Sequence, residues 1–460
     1  MKEHTGNDVR PFGMRDKIGY MMGDFGNDFT FILSSSYMMK FYTDVMGISG
    51  AVVGLAMMVA RIVDAFTDVT MGQIVDRSKP RKDGKFRPWI RRMCGPVAVA
   101  SFLIYQSGFA GMPYGFKVFW MFATYILWGS VFYTSINIPY GSMASAISAD
   151  PKDRSSLSIW RNIGATLASL VIGTGTPLFA YVIVDGKTVL SGSRMTMIAG
   201  AFSIFAVICY LTCYFLVRER VSVSANTEKF ELKKLVKSIA TNRSLIGIII
   251  AALLLLLSLL SLQGMAGYVF PNYYGSAKAQ STASLCGSLG LLFICAPLAT
   301  GLASKFGKKE LAMAGCSCSV ALLIALFIIR PKNPYVYVVF YALAQVGYGF
   351  FNTTIWAMIT DVIDDAEIKN GIREDGTIYA VYSFARKLGQ AASSGLIGSL
   401  LSMIGYTAAT AYEPEIVNAL FNMACLIPAV GLTLVVLSLG FIYPLNRKKV
   451  EENAAILKNR

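Results

Sequence analysis

The chain has a single histidine, His4, and it stands in a polar N-terminal stretch. That excludes a Ser-His-Asp relay and any histidine-built metal site. The eight cysteines form no CxxC and all lie in or beside apolar runs. They read as small buried hydrophobes, and a disulfide framework is not expected. Charge is scarce: Asp, Glu, Lys and Arg make up 15% of the 460 residues, against about 25% in a soluble domain. The chain opens on polar residues, so a cleaved signal peptide is not expected either.

Apolar residues, by contrast, make up 55% of the chain, and they are gathered in blocks. Runs such as Leu245 to Leu262 are long enough to cross a hydrocarbon core of about 30 Å, which rules out a water-soluble fold. The net charge of +15 invites a nucleic-acid reading. The basic residues, however, sit in short segments between apolar spans, where a membrane protein uses them to fix its orientation. No nucleic-acid partner is expected.

Apolar spans between polar breaks predict helices over 20–47, 51–76, 90–111, 117–147, 157–184 and 195–217, then over 243–270, 281–304, 310–330, 334–361, 377–405 and 416–443. The expected fold is an all-α membrane protein of twelve transmembrane helices in two six-helix bundles. Residues 1–217 form the first bundle, 218–243 a cytoplasmic central loop, and 244–460 the second bundle with a short cytoplasmic tail. Lys117, Lys187, Arg194, Lys278, Arg330 and Lys332 fall in loops on one side, and Lys40, Arg61, Arg161, Arg386 and Lys387 fall within helices. Every other basic residue falls on the side shared by both termini, which places the termini in the cytoplasm. Lys229, Lys233, Lys234 and Lys237 in the central loop fit either a basic helix on the anionic inner leaflet or a solvated connector.

An internal echo accompanies the two sets. Gly72-x-x-x-Asp76-Arg77 follows the second span, and Gly301-x-x-x-Lys305-Phe306-Gly307-Lys308-Lys309 follows the eighth. The glycines suggest close helix approach, and the repetition suggests a duplicated transporter of major facilitator type.

Charges inside a membrane cost at least about 2.5–3.5 kcal/mol and mark function or pairing. In the second span Arg61, Asp64 and Asp68 share one face. Two carboxylates so placed repel each other until a proton or a cation relieves them, which describes a cation site. The competing reading is a structural triad in which Arg61 neutralises one Asp. In the first span Asp28 lies one turn past Asp24, and a carboxylate in a cavity suits adjacent sugar hydroxyls. The fourth span carries Tyr133-Thr134-Ser135-Ile136-Asn137-Ile138-Pro139, with neutral donors and acceptors beside a proline kink. Arg161 either snorkels or points to a carboxylate or the substrate. Asp361, Asp364, Asp365 and Glu367, with Lys369 and Arg373, read as gate salt bridges at the cytoplasmic mouth or as a solvated loop. Arg386 and Lys387 require one of the pair to face the protein interior.

At these residues the chain resembles the glycoside–pentoside–hexuronide:cation symporters, the melibiose-permease group of the major facilitator superfamily. The resemblance rests on Gly23-x-Phe-Gly-x-Asp28, Arg61-x-x-Asp64-Ala-x-x-Asp68, Gly84-Lys-Phe-Arg-Pro-Trp89, Asn137-Ile-Pro-Tyr-Gly141 and Asp361-Val-Ile-Asp364-x-x-Glu-x-Lys369, in that order. It implies a cation site at Asp64 and Asp68 with Thr134 as a further oxygen ligand. It implies a sugar pocket at Asp28, Asn137, Arg161 and Lys387, to which Tyr133 of the fourth span is added as a substrate-binding candidate, and an inner gate at Asp361, Asp364, Glu367 and Arg373. The melibiose permease itself has an acidic residue at Asn137, a tryptophan at Gly141, a tyrosine near Ser35 and an asparagine at Thr67. A wider, less acidic pocket is therefore expected, suited to pentosides, other glycosides or hexuronides.

The expected protein is a cation-coupled sugar importer working by alternating access. It takes H⁺ or Na⁺ as coupling ion and no cofactor, with no metal beyond a Na⁺ at Asp64/Asp68. It is expected as a monomer in the inner (plasma) membrane. The rivals are a lysolipid or amphiphile symporter and a non-transporting sensor on the same fold; the sensor's usual soluble domain is not seen after Tyr443. An enzyme is not expected, because paired carboxylates on one helix cannot flank a substrate as glycosidases require.

Overall fold

A computed structural model describes residues 10–81, 83–221, 242–370 and 375–458. It divides into two compact units, Met1–Glu228 and Lys229–Arg460. The first holds α1 (Met14–Asp44), α2 (Gly50–Arg77), α3 (Arg87–Ile104), α4 (Tyr114–Ile147), α5 (Pro151–Ala180) and α6 (Gly192–Leu216). The second holds α7 (Arg243–Tyr273), α8 (Ala277–Phe306), α9 (Lys308–Ile329), α10 (Pro334–Asn370), α11 (Asp375–Met403), α12 (Pro414–Ile442) and a tail helix α13 (Arg447–Lys458).

Eight of these helices, α2, α4 to α9 and α12, are long and apolar enough to cross a membrane on composition alone. The other long helices, α1, α3, α10 and α11, carry the buried or part-buried charges Asp24, Arg87, Asp361 and Arg386. Their lower hydropathy comes from the charged side chains that pair or face inward.

Three features depart from expectation. The fifth span stops at Ala180, and β1 (Tyr181–Val184) pairs with β2 (Lys187–Leu190) in an antiparallel hairpin. Its two-residue turn is Asp185-Gly186, both with positive φ (50° and 75°). That Asp-Gly pair is the type I′ hairpin signal, and it overrode an apolar run. The tenth helix continues to Asn370, so the acidic residues from Asp361 onward are helical. The helix α13 was not anticipated.

Packing within each unit repeats. A Cβ on Gly164 of α5 would lie 2.5 Å from the Met21 carbonyl of α1. A Cβ on Gly389 of α11 would lie 2.8 Å from the Leu253 carbonyl of α7. The first and fifth helices of each unit thus meet backbone to backbone at a glycine, as small residues allow in membranes. Gly72 and Gly301, in which the sequence suggested close approach, do not make it: a Cβ on either meets nothing within 4 Å. The echo lies a few residues later. Arg87 at the start of α3 donates through Nη2 to the Tyr214 carbonyl of α6 at 2.7 Å. Lys309 at the start of α9 donates to the Tyr443 carbonyl just past α12 at 2.7 Å. Each basic residue satisfies a carbonyl left open at a helix end.

The strand of chain leaving α6 is tied down. Asp16, fully buried, accepts from Arg10 at 2.9 Å, Arg220 at 2.9 Å and the Arg218 amide at 3.2 Å. Glu219 accepts from the amides of Lys85, Phe86 and Arg87 at 2.7–2.9 Å, capping α3 from another part of the chain. A Cβ on Gly84 would lie 2.5 Å from this carboxylate, and its φ is +112°. Only glycine suits that position.

Candidate functional site

The second and fourth helices form a two-rung ladder. Asp64 and Asp68 are one turn apart on α2, and Ser130 and Thr134 are one turn apart on α4. Ser130 Oγ donates to Asp64 Oδ1 at 2.5 Å, and Thr134 Oγ1 donates to Asp68 Oδ1 at 2.8 Å. Asp64 is buried and also accepts from Arg61 Nη1 at 3.3 Å. The Arg61 guanidinium lies over the Phe31 ring at 4.9 Å. Residues Leu127–Tyr133 of α4 are wound as a π-helix, which shifts the register of the following turn, a common device at functional sites. The Gly129 carbonyl accepts from the Thr134 amide and, at 3.2 Å, from Thr134 Oγ1. Gly129 faces Asp64 so closely that a Cβ there would be 3.4 Å from its Oδ1.

The donor set is therefore two carboxylates and two hydroxyls, all oxygen. Hard cations such as Na⁺ prefer such ligands. The same carboxylates can instead take a proton. Asp64, Asp68 and Thr134 come together as the sequence suggested. Ser130 was missed, although its spacing from Thr134 repeats that of Asp64 from Asp68.

The proposed sugar residues of the first unit surround α1. Asp24 is buried and accepts from Arg161 Nε of α5 at 2.9 Å, and Arg161 lies over the Tyr140 ring at 5.6 Å. Arg161 thus points inward to a carboxylate and does not snorkel. Asn27 donates to Asn137 of α4 at 3.4 Å and accepts from the Tyr210 hydroxyl of α6 at 2.8 Å. Tyr133 stacks on Phe31, with centroids 5.8 Å apart, and leans on Trp128 at 5.3 Å. Asp28 differs from all of these. Its part-buried carboxylate has no hydrogen bond or ion pair among the described residues. A carboxylate kept in a membrane helix at that cost is built to meet something else.

In the second unit Asp361 pairs with Lys308, at the start of α9, at 2.6 Å. Asp365, among the acidic residues read as gate salt bridges but absent from the inner gate that the family resemblance implies, is buried and joins three elements. It accepts from Ser244 of α7 at 2.6 Å, Lys369 at 2.6 Å and Asn453 of α13 at 3.3 Å. Asp364 and Glu367 are half-buried on the same turns. Arg373 lies outside the described residues. Lys387 is half-buried on α11 and belongs to this second unit, whereas the other four sugar-pocket residues belong to the first. Beside it, Arg386 Nη1 donates to the Tyr382 hydroxyl at 3.2 Å, and its guanidinium lies over Trp356 of α10 at 5.4 Å.

The family described as MFS/sugar transport protein matches residues 19–447, nearly the whole chain. The chain belongs to that family. Among curated relatives of this MFS sugar-transport member, the uncharacterized symporter YjmB of Bacillus subtilis is 31% identical, covering 94% of this chain and 92% of the relative. The glucuronide carrier protein homolog of Escherichia coli is 28% identical over 97% of this chain and 96% of its own length. Among solved structures, the nucleoside transporter NupG superposes with a TM-score of 0.64 at 15% identity, covering 94% of this chain and 100% of that one. That likeness carries the fold: twelve membrane-spanning helices in two six-helix bundles, with the MFS arrangement. The resemblance to the glycoside–pentoside–hexuronide symporters stands with it.

Proposed function

We propose that the protein imports a glycoside, pentoside or hexuronide together with H⁺ or Na⁺ by alternating access. The ladder of Asp64–Ser130 and Asp68–Thr134 is the observation that carries this reading. It holds two carboxylates one turn apart inside a family of sugar transporters, Asp64 beside Arg61. The ion relieves the repulsion, and Asp28 supplies an acceptor for sugar hydroxyls nearby on α1. Arg161 sets the α1–α5 geometry through Asp24, and Asn137 and Tyr133 extend the polar and aromatic wall. Asp361 with Lys308 forms a cytoplasmic gate contact, joined by Asp364 and Glu367 on the same helix; Arg373, which the family resemblance also assigns to the gate, lies outside the described residues. Support for a sugar substrate comes from the family description and from the glucuronide carrier homolog. The basic loops support cytoplasmic termini in the plasma membrane.

Linkage gives a direct test on purified protein. If ion and sugar bind cooperatively, each tightens the other by the same factor. Sugar affinity measured across Na⁺ concentrations at fixed pH, and across pH without Na⁺, is expected to change at least about fivefold along one of the two axes. A sugar affinity indifferent to both would remove the coupling.

A further inference from the structure

Tyr125 stands on α4 one turn before Gly129 and Ser130, and it is 1% exposed. Its polar neighbours are Ser34 of α1 and Arg61 and Asp64 of α2. Its hydroxyl nevertheless makes no hydrogen bond among the described residues. A buried hydroxyl left unpaired is destabilising by about as much as a lost hydrogen bond, so its retention beside the ladder calls for a reason.

The arginine next to it supplies one. Arg61 Nη1 reaches Asp64 Oδ2 at 3.3 Å, which is long for a charge-assisted bond of about 2.7–2.9 Å. Arg161 holds Asp24 at 2.9 Å and Lys308 holds Asp361 at 2.6 Å. The other oxygen of Asp64 is taken by Ser130 at 2.5 Å. The Arg61 guanidinium also lies over the Phe31 ring at 4.9 Å, a contact that holds a cation without using up its N–H donors. A Na⁺ at Asp64 sets a second positive charge against the arginine, and a proton there removes the negative charge that held it. In either case a buried guanidinium needs another acceptor within the protein. Tyr125 Oη stands beside it and can accept from Arg61 while donating its own proton to Ser34 Oγ. Ser34 Oγ donates to Met38 Sδ at 3.9 Å and, as a hydroxyl, keeps lone pairs for that bond.

We infer that Tyr125 is the second berth of the Arg61 guanidinium: when the coupling ion takes Asp64, Arg61 passes from that carboxylate to the Tyr125 hydroxyl. This rests on the cation-coupling reading above and deepens it by assigning the displaced arginine a place. Tyr125 is thus a positioning residue, acting on the ion through Arg61. Trp128, fully buried, stacks on the Tyr125 ring with centroids 5.6 Å apart, so the berth is fixed before the ion arrives. The hydroxyl is unpaired while Arg61 sits on Asp64 and paired once it leaves. It therefore stabilises the ion-bound arrangement selectively, which is the condition for raising ion affinity.

The test is Tyr125→Phe in the full chain, which removes the hydroxyl and keeps the ring and its stack. Melting temperature in nanodiscs is followed against Na⁺ at fixed pH, and against pH in Na⁺-free buffer. Ligand linkage turns each series into an ion affinity. The response that belongs to the site is the part that Asp64→Cys loses. With Na⁺ withheld at high pH, Tyr125→Phe is expected to melt at or above the wild-type temperature, because the hydroxyl it lacks was unpaired there. Its ion affinity is expected to fall about tenfold, the loss of one hydrogen bond to a charged group. That reads as a Na⁺ midpoint ten times higher or a proton midpoint one pH unit lower. A merely structural hydroxyl gives the opposite pair: a lower melting temperature without ions and an unchanged ion midpoint. Either of those two results, failure to fold included, would overturn the inference and leave the coupling reading intact. A wild-type response that Asp64→Cys keeps in full would overturn both.

Discussion

Replacing Asp64 with Cys should reduce sugar accumulation from concentrative to the equilibrium level, an internal-to-external ratio of about one, while sugar exchange at zero gradient survives. The carboxylate is held by Arg61 at 3.3 Å and Ser130 at 2.5 Å, and its loss removes one of the two charges that a cation or proton must satisfy. Without it the empty site is no longer penalised, and the ion no longer biases the conformational equilibrium. A ligand that fails to discriminate between states shifts nothing. Asp68→Cys is expected to behave alike, because its partner rung through Thr134 is equivalent. Ser130→Ala keeps both charges and removes one hydrogen bond, so ion affinity should fall by roughly 1.5–3 kcal/mol, about 10- to 150-fold, and accumulation should fall without being lost. Full accumulation by Asp64→Cys would remove the cation site from α2.

Asp28→Asn should fail in a different way. It is expected to weaken sugar binding on the order of 100-fold or more and to abolish exchange and accumulation together. The Asp28 carboxylate has no partner among the described residues, so its hydrogen-bonding capacity is available to sugar hydroxyls. Two charge-assisted bonds to adjacent hydroxyls are each worth about 1.5–3 kcal/mol. Asn can accept with one oxygen only and carries no charge. The contrast is diagnostic: a coupling variant exchanges but does not accumulate, and a substrate-site variant does neither. Binding titrations of Asp28→Asn give the direct check, and a wild-type dissociation constant would move the sugar site elsewhere.

Much of this was legible before the structure. Apolar blocks marked every long helix, because a hydrocarbon core admits little else. The pairs Asp64/Asp68 and Asp24/Asp28 were visible because i,i+4 neighbours on one helix can be read from spacing alone. What stayed hidden were contacts between helices. Nothing in a linear pattern says that Ser130 faces Asp64, that Glu219 caps α3, or that Asp365 holds Ser244, Lys369 and Asn453 together. Each depends on which face of one helix meets another. The π-wound turn in α4 adds to the difficulty, since it changes the register on which such guesses rest. Arg386 and Lys387 show the same limit. Sequence placed one of them inward, and only the packing shows Arg386 against Tyr382 and Trp356.

The central claim is that sugar and cation cross together, and sugar-driven ion movement in proteoliposomes tests it most directly. Vesicles without an imposed gradient receive a pulse of sugar acid or glycoside while external pH and Na⁺ are recorded. The account predicts that sugar entry draws the ion in, seen as external alkalinisation or Na⁺ depletion, and that Asp64→Cys removes the ion signal but not sugar entry. Sugar entry with neither ion moving in the wild type would contradict it.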